Sequence, residues 1–172
     1  YLRCGILAHG FVRVRCKDCG ESRAVAFSCK RRGFCPSCMG RRMADTAAFC
    51  IDHLFPKVPV RQLVLTVPMR LRFRMAASPL LTSAILRCFI ASITSDLRLR
   101  AGRLGLRGNL KTGAMTVVQR FGSSLALNVH FHTLAADGVW STRADGGLDF
   151  HPLPSPSDHD VARIARAVWR KV

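Results

Sequence analysis

Acidic side chains are scarce in this chain: 10 Asp and Glu stand against 27 Lys and Arg, leaving a formal charge of +17 and a pI near 11.1. Glutamate occurs once, as Glu21, and tyrosine once, as Tyr1. So few carboxylates cannot neutralise the chain internally, and its natural partner is a polyanion. The lone glutamate excludes a zinc deaminase, which needs His-x-Glu and a Pro-Cys-x-x-Cys pair. No histidine lies two residues before Glu21, and Pro36 falls inside its cysteine pair. The longest apolar run, near Leu80 to Ile93, is broken by Arg87 and reads as too short to span a bilayer. No signal-peptide pattern leads the chain, so the expectation is a soluble cytoplasmic protein with reduced thiols and no membrane partner. Internal repeats are absent. The first residue is Tyr1 rather than Met, and Val172 falls within a helical pattern, so the chain reads as a fragment.

What is present is unevenly distributed. At 172 residues and 49% apolar content there is room for one medium domain, or for a small domain joined to a larger one. Seven of the eight cysteines fall in the first fifty residues: Cys4, Cys16, Cys19, Cys29, Cys35, Cys38 and Cys50. Cys16-Lys17-Asp18-Cys19 and Cys35-Pro36-Ser37-Cys38 are two C-x2-C pairs whose separation suits a tetrahedral zinc site, each pair giving two thiolates. Cys29 could replace one of them, and with Cys4 and His9 it could build a second site. A disulfide framework is the competing reading, disfavoured in a reducing compartment. Cys50 and Cys88 lie in helical patterns among apolar neighbours and read as packed thiols.

Basic residues crowd the cysteine pairs: Arg13, Arg15, Lys17 and Arg23 near the first, and Lys30, Arg31, Arg32, Arg41 and Arg42 around the second. Few acids balance them here, so this patch is expected to hold DNA phosphates. Of the 27 basic residues 22 are Arg, whose planar fork grips phosphate oxygens in pairs, although genome base composition also shapes such a bias. Phe11, Phe27 and Phe34 interleave the patch and read as the small core of a ribbon.

Helical spacing from Arg41 to Leu54 ends at Pro56 and Pro59, which places a boundary between segments 1–55 and 58–172. Beyond it the pattern predicts a strand from Arg61 to Val67, a helix capped at Ser78-Pro79 and running to about Leu99, and a loop from Ala101 to Gly113. Two strands follow, Ala114 to Phe121 and Ala126 to Ala136, joined at Gly122-Ser123-Ser124. A short hairpin pairs Val139-Trp140 with Leu148–Phe150, and a helix is capped by Ser157. The fold class is α+β: a cysteine-rich ribbon, then an antiparallel sheet with packed helices. On the second long strand Leu127, Val129, Phe131 and Thr133 share one face, while Asn128, His130 and His132 share the other. Two imidazoles one pleat apart can bind a single metal ion; an isolated His-x-His is also compatible with two ordinary strand histidines.

As an ordered set, Cys4-Gly5, the two cysteine pairs with Ser28-Cys29-Lys30 between them, Val118-Gln119-Arg120-Phe121-Gly122, and Asn128-Val129-His130-Phe131-His132 through Asp137-Gly138 resemble the HUH-type, two-tyrosine transposases of rolling-circle insertion sequences. Their amino-terminal part is a cysteine-rich zinc-binding domain. The resemblance implies a zinc ribbon over 1–55 and a partial HUH nuclease domain over 58–172. It implies structural zinc, a magnesium or manganese ion on His130 and His132, and single-stranded DNA at insertion-sequence ends as partner. Nicking and rejoining would pass through a phosphotyrosine, with a hard cation relieving charge on the scissile phosphate. The chain departs from the family in its tyrosines, which should follow the histidine strand, whereas Tyr1 precedes the zinc domain. No catalytic nucleophile is therefore assigned, and a tyrosine helix is expected downstream of this chain, or else lost from a decayed copy. Gln119 and Asp137 are both open as a third metal ligand. A noncatalytic zinc-ribbon DNA binder is the main alternative, with an HUH relaxase or replication initiator behind it.

Overall fold

The computed structural model describes residues 3–28, 36–54, 57–122 and 126–171, which fall into two compact units, Tyr1–Pro56 and Lys57–Val172. In the first unit β1 (Phe11–Arg15) and β2 (Ser22–Ala26) form an antiparallel ribbon, with Phe11 opposite Ala26 and Arg15 opposite Ser22. Helix α1 (Pro36–Phe49) continues as one π turn over Cys50–Leu54. Among the described residues this unit buries only Cys4 and Cys50. Phe11 and Phe27 are exposed, which corrects the expectation that they form a ribbon core; among the described residues no layer covers the two strands, and a two-stranded ribbon by itself has nothing to bury a ring against. Phe34 lies outside the described residues.

The second unit is built on a three-stranded antiparallel sheet in the order β3 (Val60–Thr66), β5 (Leu127–Ala136), β4 (Ala114–Phe121). The β5 strand is central, paired along both edges, and its Val129, Phe131, Thr133 and Ala135 are buried on one face. Against that face lies α3 (Pro79–Arg103), which presents Ile85, Phe89, Ile93, Leu97 and Ala101 at four-residue intervals, a stripe that stays on one side of a helix. Two further helices complete the layer, α2 (Met69–Ala77) through Leu71 and Met75, and α4 (Asp158–Trp169) through Ile164 and Val168. A second hairpin, β6 (Gly138–Thr142) with β7 (Leu148–Pro152), adds the fully buried Val139. Antiparallel sheets and helices packed on one face make the chain α+β.

Several boundaries differ from expectation. The α3 helix reaches Arg103, into the segment read as loop, and at 25 residues it is long and apolar enough to cross a membrane, which corrects the view that it is too short. Its apolar stripe, however, packs on the protein's own sheet, and Asp96 and Arg100 are buried within it as an ion pair. Helix α2 was not anticipated at all. Residues 123–125 of the β4–β5 turn lie outside the described residues.

A polar seam joins α3 to α4. Asp96 accepts from Arg100 at 2.9 Å and from Arg163, Arg163 also bonds Asp160 at 2.6 Å, and Arg103 reaches Asp160 at 3.2 Å. Ser157 caps α4 in a full capping box with Asp160. The Ser157 hydroxyl and amide, with Arg163 beside them, hold the Asp160 carboxyl well below the usual carboxylate range.

Candidate metal centre

The β-sheet register decides what surrounds the two histidines. Paired residues in an antiparallel ladder point to the same face, so each row of three side chains can be named. His130 lies between Thr66 on β3 and Gln119 on β4, and His132 lies between Val64 and Val117. The two rings meet edge to face with centroids 4.9 Å apart, on the side of β5 opposite Phe131. His130 is buried to 8% exposure, while its cross-strand neighbours Thr66 and Gln119 are exposed and Val64 and Val117 remain 51% and 58% exposed. The side chains flanking the two histidines are therefore exposed, while the His130 ring itself is shielded from bulk water.

Each ring is held through Nδ1. In His130 that nitrogen donates to the Asn128 carbonyl at 2.5 Å, which in the neutral ring leaves the lone pair on Nε2. In His132 it lies 2.8 Å from the side-chain amide of Gln62, one pleat away on β3. Oxygen and nitrogen of such an amide exchange places by a half turn; with Oε1 toward the ring, Nδ1–H donates and the second Nε2 is also free. Sequence reading missed Gln62, because nothing local links it to a residue 70 positions away. The Asn128 Oδ1 atom, two residues along the chain from His130, is buried without a hydrogen-bond partner. Two imidazoles on one strand with the Gln119 amide across from one of them offer a mixed nitrogen and oxygen donor set.

The two candidates for a third ligand separate clearly. Gln119 stands directly across from His130, whereas Asp137 lies beyond the end of β5 and accepts from Arg61 at 2.5 and 3.1 Å. A β-bulge between Gln119 and Phe121 shifts the register there, and Gln119 Nε2 donates to the Phe121 carbonyl at 3.1 Å.

In the first unit Cys16 and Cys19 bracket a tight turn. The Cys16 amide donates to the Glu21 carbonyl at 2.8 Å, the Gly20 amide donates to the Cys16 carbonyl at 3.2 Å, and Gly20 takes a φ of 73° that favours glycine. Both thiols are exposed. The Cys19 and Asp18 amides, together with the Cys19 thiol, lower the pKa of Cys16 from its ordinary value. Amides aimed at a thiolate suit a metal-binding pair. Cys29, Lys30, Arg31, Arg32 and Cys35 lie outside the described residues, as does the side chain of Cys38. Cys4 and Cys50 are buried, and Cys88 is half-buried. Arg13 and Arg15 are exposed on β1, Arg13 donating to Ser22 at 2.7 Å, and Arg41 and Arg42 are exposed on α1. Among the described residues no three His, Cys, Asp or Glu side chains converge, so each candidate centre displays a pair.

Residues 1–67 match the family model of the transposase zinc-binding domain. The match supports structural zinc in the first unit and is consistent with an insertion-sequence transposase. The matched span runs past Pro56 and through β3, the strand that pairs with the histidine strand. No curated protein and no solved structure matches the chain.

Proposed function

We propose that this chain is the zinc-bearing and metal-bearing part of a cytoplasmic HUH transposase that binds single-stranded DNA at insertion-sequence ends, to nick and rejoin it. The pair of imidazoles on one open face of the central strand, in a chain whose first 67 residues match a transposase zinc-binding domain, carries this reading. His130 and His132 would hold one magnesium or manganese ion, with Gln119 nearest as a further oxygen donor. Such an ion supplies electrostatic relief at a phosphodiester. The chain's own residues do the rest: Asn128 and Gln62 orient the rings, the exposed Val64 and Val117 border the strand's path, and the burial of His130 shields its ring from bulk water. Cys16, Cys19, Cys35 and Cys38 would hold the structural zinc, with Cys4 and Cys29 as further donors, and Arg13, Arg15, Lys30, Arg31, Arg32, Arg41 and Arg42 would engage phosphates.

The second unit contains no tyrosine, so the nucleophile of a phosphotyrosine step is not supplied there. That observation favours one other reading, a noncatalytic zinc-ribbon DNA binder. Manganese binding separates the two. A weak second site beside tight zinc, lost in His130→Ala and His132→Ala, supports the transposase; one structural zinc and nothing more supports the binder. A form of the protein carrying a tyrosine helix that still nicks single strands with both histidines replaced would sink the mechanism.

A further inference from the structure

Helix α2 does more on its outer side than close the core. Leu71 and Met75 turn inward, while Met69, Arg70, Phe73, Arg74 and Ala77 form one continuous exposed strip, with Phe73 67% exposed. An aromatic ring and two guanidiniums on one side of a nine-residue helix are an uncommon surface for a helix whose other side is already buried.

Charge identifies the occupant. No acidic residue occurs from Lys57 to Ser95. In this unit Asp96, Asp137, Asp145, Asp149 and Asp160 are paired with Arg61, Arg100, Arg103, Arg143 and Arg163, and the remaining acid, Asp158, sits in the first turn of α4. Among the described residues Arg70 and Arg74 make no ion pair, so their charge is available to an anion. Arg120, the residue at the β-bulge, adds a third cation beside them by donating to the Ala76 carbonyl of α2 at 3.4 Å. Position ties the strip to the metal centre: α2 starts three residues after Thr66, the partner of His130, and Arg120 follows Gln119, the other partner of His130.

We propose that the outer strip of α2, with Phe73 as a base-stacking platform and Arg70, Arg74 and Arg120 as phosphate contacts, is a single-stranded DNA-binding surface that leads toward the His130 end of the sheet. Stacking on an exposed ring tolerates any base, and cations one helical turn apart follow a flexible backbone, so the surface is expected to be indifferent to sequence. This inference rests on the DNA reading above but is distinct from the arginines of the first unit.

The test uses the full chain with zinc bound and a fluorescein-labelled oligothymidylate, measured by anisotropy over a series of salt concentrations. Phe73→Ala is expected to weaken binding about tenfold and Phe73→Trp to retain it. Arg70→Gln with Arg74→Gln is expected to lower the slope of log K against log salt by about 1.4. An iodouridine oligonucleotide should crosslink to the α2 peptide in the parent and not in Phe73→Ala. If the parent binds while the α2 variants bind equally well and crosslinks fall only in the first unit, this surface is refuted and the wider DNA reading stands. If the parent binds no single strand, both fall. Loss in Phe73→Ala of binding to anionic vesicles, or of self-association, with oligonucleotide binding unchanged, overturns the surface in favour of a lipid or a second copy. Phe73 is largely exposed, so its replacement should leave the melting transition in place.

Discussion

The side-chain amide of Gln62 stands 2.8 Å from Nδ1 of His132, across two strands whose residues are 70 positions apart. A histidine that binds metal through Nε2 needs Nδ1–H to donate to an acceptor, and such partners set affinity by about 10- to 100-fold. Gln62→Glu is therefore expected to tighten manganese binding and Gln62→Leu to weaken it about tenfold, read by the free-manganese EPR signal. Equal affinities in parent and both variants would show that the ring is positioned without Gln62.

Gln119 and Asp137 offer a second contrast. Because Gln119 lies across from His130 while Asp137 is held by Arg61, Gln119→Leu is expected to lower manganese affinity and Asp137→Asn to leave it unchanged. Asp137→Asn should instead cost stability, about 1 to 2 kcal/mol after allowing for solvent screening at the half-exposed Arg61. Urea melts and EPR titrations of both variants decide it; a reversal of the two effects would move the third ligand to the far end of β5.

Zinc removal should act on one unit alone. The described part of the first unit buries little besides Cys4 and Cys50, so its order depends on a metal staple in a way the second unit's does not. Chelation, or Cys16→Ser with Cys19→Ser, is expected to abolish the first unit's protection from proteolysis while the second unit keeps its melting transition. An unchanged digestion pattern after complete zinc loss would contradict this.

Acid should loosen the α3–α4 seam. The folded pKa of Asp160 is depressed below its ordinary 3.8, so the unfolded chain takes up this proton first. Stability from this group is present above about pH 4 and is lost as pH falls through the lower folded value. Asp160→Asn should be less stable at pH 7 and show a shallower decline between pH 5 and 3 in urea unfolding. A decline as steep as the parent's would place the acid sensitivity elsewhere.

Much of the second unit was legible from its pattern. The long β5 alternation, the Ser78-Pro79 start of α3 and the Ser157 cap of α4 are local signals, and each element forms where its signal lies. Helix α2 escaped because Met69 to Met75 alternates apolar and arginine residues with period two, a strand-like rhythm. The chain is helical there because Leu71 and Met75, one turn apart, reach the core together. The aromatic residues of the ribbon misled for a related reason: composition shows that Phe11 and Phe27 are apolar, but not that they stay exposed among the described residues.

Spacing along the chain was enough to bring Cys16 to Cys19 and His130 to His132, since a tight turn and a strand pleat fix the distance between near neighbours. It could not choose Gln62 and Gln119 as companions of those imidazoles, assign Asp137 to Arg61, or turn Phe73 and two arginines outward on one helix. Those outcomes depend on the register between strands far apart in the chain, and that register is set when the apolar faces of β5 and α3 close on each other.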